Sequence, residues 1–178
     1  FTSKQVKKFF KRNNKVKEIN INLIDNVSNK LKLKTKPFFS LKNEVVGESH
    51  HSKLKRVSNF LKRNKSNYLF VSAPENVAWL LNIRGFDNPN SPVPNCRILM
   101  DDKKRIYFIA ENNKTKKIIR DKKIKKKQVI EPKNFENLIN KLKKGRIIID
   151  NHSCSIFYEN LIKKKFLISK TNDPIYLM

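Results

Sequence analysis

The sequence predicts an α/β fold, a mixed β-sheet flanked by helices on both faces, and three observations predict it. The apolar segments Tyr68–Val71 and Ile147–Ile149 are short and continuous, as strands buried on both faces are. Between and after them, apolar residues recur at helical spacing, at Leu54, Val57 and Leu61 and again at Phe135, Leu138, Ile139 and Leu142. Finally, Arg97–Met100 and Arg105–Ile109 stand on either side of the polar turn Asp101–Lys104, a hairpin that puts antiparallel strands into the sheet. Strands alternating with helices around a central hairpin give a sheet covered on both sides.

Each element has a local reason. Val6, Phe9 and Phe10 suggest a short amphipathic helix, and Ile19, Ile21 and Leu23 alternate with polar residues as a half-buried strand does. Asp25 to Lys36 is polar and ends at Pro37, which reads as a linker or the closing edge of a preceding domain. Ser49 is a good N-cap for a helix from about Ser49 to Lys65. Pro74 suits the first turn of a helix reaching Leu81, with Glu75 complementing its positive end and Trp79 packing in the core. From Asn82 to Pro94 three prolines and Gly85 impose a rigid, irregular loop that excludes a helix or a central strand. A short strand is expected at Gln128–Ile130, and Gly145 stands where the cap of the 135–142 helix belongs. Ser153 opens a last helix with Cys154, Phe157, Leu161 and Ile162 inward, and Phe166–Ile168 closes the sheet.

At 178 residues the chain holds one full domain plus a remnant, or two small ones. No apolar run reaches the length of a membrane span, and the opening residues are not expected to act as a signal peptide. A chain running from Phe1 to Met178 is expected to be a fragment. The net charge of +26 raises the question of a polyanionic partner. It is carried by 33 Lys against 8 Arg, beside 23 Asn and 19 Ile, the residues an AT-rich coding sequence favours. A phosphate-binding surface would use more Arg for its bidentate geometry. Nucleic acid is therefore not the expected partner, although a stand-alone basic nucleic-acid-binding or interaction module is the alternative reading. Lys114 to Lys127 holds nine basic residues in 14 positions with no aromatic for base stacking, so a solvated helix face is expected there.

Chemistry-bearing motifs are sparse. The three glycines are far apart, which excludes the usual phosphate loops. Cys96 and Cys154 match no metal or redox spacing, and nothing marks an oxidising compartment, so buried free thiols and a cytoplasmic location are expected. His50, His51 and His152 have no zinc-helix spacing. Asp101-Asp102 is better explained by turn propensity than by acid–base work. The 82–94 loop is the one segment whose composition points to function, because scaffolds place function on such loops.

Residues 73–93, APENVAWLLNIRGFDNPNSPV, resemble the signature of the second domain of Xaa-Pro aminopeptidases, the aminopeptidase P group of creatinase-like, pita-bread metallopeptidases. The matching elements are the helix ending Ala78-Trp79-Leu80-Leu81-Asn82, the Ile83-Arg84-Gly85 turn, Asp87, and Pro92-Val93. Asn22-Leu23-Ile24-Asp25 is similar to the last segment of the family's first domain, though that family usually has Trp where Ser28 stands. Asp173-Pro174-Ile175 resembles the junction leading to the catalytic domain. The resemblance implies that residues 1–44 are the C-terminal remnant of a first creatinase-like domain and a linker, and 45–178 a second, non-catalytic domain. It further implies that the following pita-bread domain, absent here, holds two divalent metal ions, usually Mn²⁺, on two Asp, one His and two Glu. The metals activate a bridging water and polarise the scissile carbonyl. The parent would release an N-terminal residue preceding proline, and this fragment alone would be inactive. Its implied role is to shape the active-site entrance, with Asn82, Arg84 and Asp87 as candidates, and to pack on its own catalytic domain or in a homodimer. Arg84 would present a cation to a peptide carboxylate or pair with Asp87, and Gly85 would permit the turn that aims it.

Overall fold

The computed structural model describes residues 1–10, 19 and 36–178. Helix α1 (Ser3–Phe9) opens with a capping box, in which the Thr2 hydroxyl accepts from the Gln5 N–H and the Gln5 amide oxygen accepts from the Thr2 N–H. The strand expected around Ile21 and Leu23 and most of the 25–36 linker lie outside the described residues. Strand β1 (Phe39–Ser40) and helix α2 (Asn43–Val46) lead to α3 (His50–Arg63), whose N-cap is Ser49, as expected. Then follow β2 (Tyr68–Val71), α4 (Pro74–Leu81), β3 (Ile83–Arg84), β4 (Arg97–Asp101), β5 (Ile106–Ile109) and α5 (Asn112–Arg120). The chain closes with β6 (Val129–Ile130), α6 (Phe135–Lys141), β7 (Arg146–Asp150), α7 (Ile156–Lys163), β8 (Leu167–Thr171) and a 3₁₀ turn, Pro174–Leu177.

The main sheet has the order β6-β5-β4-β2-β7-β8. β2 is its hinge of direction, antiparallel to β4 on one side and parallel to β7 on the other. Alternation along the strands divides the core in two. Leu69, Val71, Ile98, Met100 and Ile148 pack under α3, α4 and α5, where Val57, Leu61, Leu80 and Ile118 meet them. Tyr68, Phe70, Leu99, Ile147 and Ile149 face the other way, against Phe135 and Ile139 of α6 and Tyr158 and Ile162 of α7. The mixed sheet with helices on both faces is therefore as the sequence predicts. Among the described residues no helix is long and apolar enough to cross a membrane.

Several local expectations are corrected. Gly145 is no helix cap, since α6 ends at Lys141 and Leu142 is its cap. A Cβ at Gly145 would stand 2.4 Å from the Asn67 amide oxygen, which accepts from the Arg146 N–H at 2.9 Å. The glycine is there for that close approach, which ties the start of β7 to the start of β2. Ser155 rather than Ser153, two residues later, precedes the last helix, and Phe157 faces outward, 58% exposed, while Tyr158 faces inward. The proline-rich loop forms no helix and no central strand, as expected, although its first residues, β3, pair antiparallel with β1 in a two-residue ladder outside the main sheet. Both cysteines are free and buried, as expected, Cys96 in the α3–α5 layer and Cys154 in the α6–α7 layer. Burial pushes the Cys154 thiol up to about 12.

Candidate functional site

The loop from Asn82 to Pro94 leaves α4 at the end of the sheet where β2 finishes and β4 begins. Its first residue, Asn82, takes the left-handed conformation (φ 55°, ψ 47°) that lets a helix end abruptly. Asn tolerates it, and its side chain is then used twice. The amide nitrogen donates to the Glu48 carbonyl at 2.8 Å, and the amide oxygen accepts from Lys53 Nζ at 2.7 Å. Its own carbonyl accepts from the Leu41 N–H at 2.9 Å, so Asn82 joins α4, α3 and β1 in one node and is itself buried.

Lys53 is an unexpected member of that node. It is buried, its ammonium donates to the Trp79 carbonyl at 2.9 Å, and it stands 4.1 Å from the centroid of the Trp79 ring. Burial holds its pKa below the ordinary lysine range, with the Glu48 carboxylate acting in the opposite sense. Trp79 packs on the core, as expected, but beneath two cations, the second being Arg56 at 5.5 Å.

Arg84 and Asp87 are not partners. The Arg84 guanidinium folds back over α4, donating to the Ile83 carbonyl at 2.8 Å and to the Ala78 carbonyl at 3.4 Å. A cation at a helix C-terminus is favoured by the helix dipole, and the Ala78 carbonyl it reaches also accepts from the Asn82 N–H. Asp87 instead accepts from Lys114 Nζ at 2.7 Å on one oxygen and from the Asn95 N–H at 2.6 Å on the other. The side chains of that pair are only 8% (Lys114) and 16% (Asp87) exposed. Lys114 thus departs from the solvated face expected of the 114–127 run. Its spacing carried the signal: Lys114 is four residues before Ile118, as Lys53 is four before Val57, and each lysine continues the apolar stripe of its helix.

Gly85 keeps the loop closed. Its N–H donates to the Pro92 carbonyl at 3.0 Å, and a Cβ there would lie 2.7 Å from Pro94 Cα and 3.1 Å from the buried Phe38 ring. Gly85→Ala is expected to destabilise by about 1–3 kcal/mol, the usual cost of overpacking. Urea denaturation reads it, and an unchanged midpoint would mean that the prolines yield. The exposed tip, Asn88–Asn90, is turned by the Asn88 side chain accepting from the Asn90 N–H. Between tip and base, Pro74, Asp87, Asn88, Val93, Pro94 and Asn95 line a cleft of about 230 Å³.

The loop is therefore held firmly, with its ionic groups engaged at the base and amides at the tip. It carries no nucleophile–base pair. Among the described residues no three His, Cys, Asp or Glu side chains are grouped as metal ligands would be, so a pair of divalent ions does not fit here.

Three relatives frame this geometry. Xaa-Pro aminopeptidase 1 of Dictyostelium discoideum is 31% identical over 144 residues, which are 78% of this chain and 22% of that protein. The X-prolyl aminopeptidase of Caenorhabditis elegans, described as a cytosolic enzyme with a di-nuclear active site, has the same fold, with a TM-score of 0.72 at 20% identity. That match covers 86% of this chain and 26% of the other. An Xaa-Pro aminopeptidase structure from Streptococcus thermophilus aligns with a TM-score of 0.52 at 18% identity, over 72% of this chain and 96% of that one. This chain spans about a quarter or less of the first two relatives. The family model of the creatinase/prolidase N-terminal domain matches residues 29–178, most of the chain, and the chain belongs to that family.

Proposed function

We propose that the chain is the non-catalytic second domain of an Xaa-Pro aminopeptidase, preceded in residues 1–44 by the end of a first domain and a linker, and that the 82–94 loop forms part of the rim of the active-site entrance. The observation that carries the reading is the 31% identity with an Xaa-Pro aminopeptidase over four-fifths of this chain but only 22% of the relative. On this reading hydrolysis belongs to the rest of the parent, which would release an N-terminal residue preceding proline. The parent would use two divalent metal ions, manganese by the family resemblance, and work in the cytoplasm. The C. elegans neighbour's description as cytosolic and di-nuclear supports the last two points. The module would pack on its own catalytic domain or on a second copy.

Within the module the proposed roles differ by residue. Asn82, buried and doubly bonded, positions the loop. Asp87 anchors it through Lys114. Arg84 alone keeps guanidinium N–H groups beyond its two bonds to carbonyls, and these would receive a peptide carboxylate. Arg84→Ala in the full-length parent is expected to raise KM for Xaa-Pro peptides about tenfold with little change in kcat, the loss of one charge-assisted hydrogen bond. An unchanged kcat/KM would leave Arg84 as a helix cap and remove it from the rim.

A further inference from the structure

The main sheet ends at β6, and two clefts flank that edge, one of about 610 Å³ on the α5 side and one of about 340 Å³ on the α6 side. Asn112 and Val129 line both, so the clefts form one trough crossing the strand. β6 runs parallel to β5, and the Ala110 N–H donates to the Ile130 carbonyl at 3.1 Å. In a parallel ladder the bonded residues alternate. Ile130 therefore faces β5, while the Val129 carbonyl and the Glu131 N–H face away from it. Among the described residues neither of these two groups has a hydrogen-bond partner. An acceptor and a donor at that separation receive one residue of an added strand, its N–H on Val129 and its carbonyl on Glu131.

The walls select what that strand would be. On the α5 side Ile119 and Val129 are half-buried and Lys116 and Lys126 are exposed around them. On the α6 side Lys141 stands beside the Asn137 amide. None of these three lysines is in an ion pair among the described residues. The single carboxylate in the trough, Glu131, already accepts from the Asn112 N–H at 2.8 Å. The lining has no arginine and no aromatic ring, which disfavours a nucleic acid, whose phosphates and bases use both. A second copy of the chain would bring its own +26.

We propose that the β6 edge is a docking site for an extended, acidic segment of a partner protein, which adds a strand to the sheet, lays apolar side chains on Ile119 and Val129 and sets its carboxylates against Lys116, Lys126 and Lys141. The probe is a fluorescein-labelled octapeptide of alternating glutamate and valine, added to the whole chain and followed by anisotropy and by exchange of the Glu131 amide. Saturable binding is expected, with slowed exchange at Glu131. The exposed-residue variant Lys116→Glu/Lys126→Glu/Lys141→Glu should weaken it at least about tenfold, three modest charge pairs summed. A lysine–valine octapeptide should not bind. Three results would overturn the proposal: no saturable binding, equal affinity of the triple variant, or displacement of the peptide by an oligothymidylate binding as tightly. Unchanged Glu131 exchange in the native chain would do so too, independently of whether the variant folds.

Discussion

Replacing Lys114 by methionine is expected to lower stability by about 3 kcal/mol, although the substitution keeps most of the side chain's apolar stem. Breaking a buried pair by removing one partner usually costs about 3–5 kcal/mol, because the other charge stays desolvated and unmatched. Asp87 retains the Asn95 N–H and some solvent contact, which places the value at the low end. The discriminating comparison is a double-mutant cycle with Asp87→Asn. If the pair is what matters, Asp87→Asn on top of Lys114→Met should recover much of the loss, since a neutral amide needs no counter-ion. Denaturant midpoints for the four proteins read this directly. Additive losses would mean that the Lys114 side chain acts through its packing rather than through its charge.

Acid should weaken the fold through His50, which sits at the start of α3 and is only 8% exposed. Burial, followed by the charges of His51, Lys123 and Lys53, lowers its pKa from the ordinary 6.5 to about 4. The unfolded chain therefore takes up this proton first as pH falls. Stability is lost between about pH 6.5 and pH 4, and the contribution levels off below that. The full difference corresponds to about 3 kcal/mol at 1.36 kcal/mol per pH unit. His50→Leu should flatten the pH dependence of the midpoint in that window relative to the parent chain. The control matters because Asp173, whose pKa burial raises, stabilises in the opposite direction as pH falls. Parallel curves for the two proteins between pH 7 and pH 5 would exclude His50 as the sensor.

Strands and helices were legible where one short-range pattern dominates. Tyr68–Val71 and Pro74–Leu81 fall where apolar continuity and a first-turn proline put them. What escaped the sequence depends on partners distant along the chain. Gly145 reads as a cap from its neighbours, but its reason is Asn67. β3 exists only because Phe39 and Ser40 come to meet it. Phe157 and Tyr158 compete for one inward position, and the start of the helix, two residues later than expected, goes with Tyr158 inward. In the candidate site, the loop and its glycine were visible from composition, whereas the bonding was not. Sequence proximity suggested Arg84 with Asp87, but the helix end captured the arginine and a lysine of α5 took the aspartate. A charged residue continuing an apolar stripe is the signal that marks both buried lysines.

The place of β2 between β4 and β7 also sets an order of assembly. β4 and β5 follow β2 closely in the chain, so the antiparallel half of the sheet forms from near neighbours. The opposite edge of β2 pairs Tyr68 with Ile147, a partner far along the sequence. During synthesis from the N-terminus, Leu69 and Phe70 would thus present a bare apolar edge until the Arg146–Asp150 segment emerges. Closing that edge is the slow, non-local step. A nascent chain paused before β7 would be held as half a sheet, in the form most open to pairing with another copy of itself.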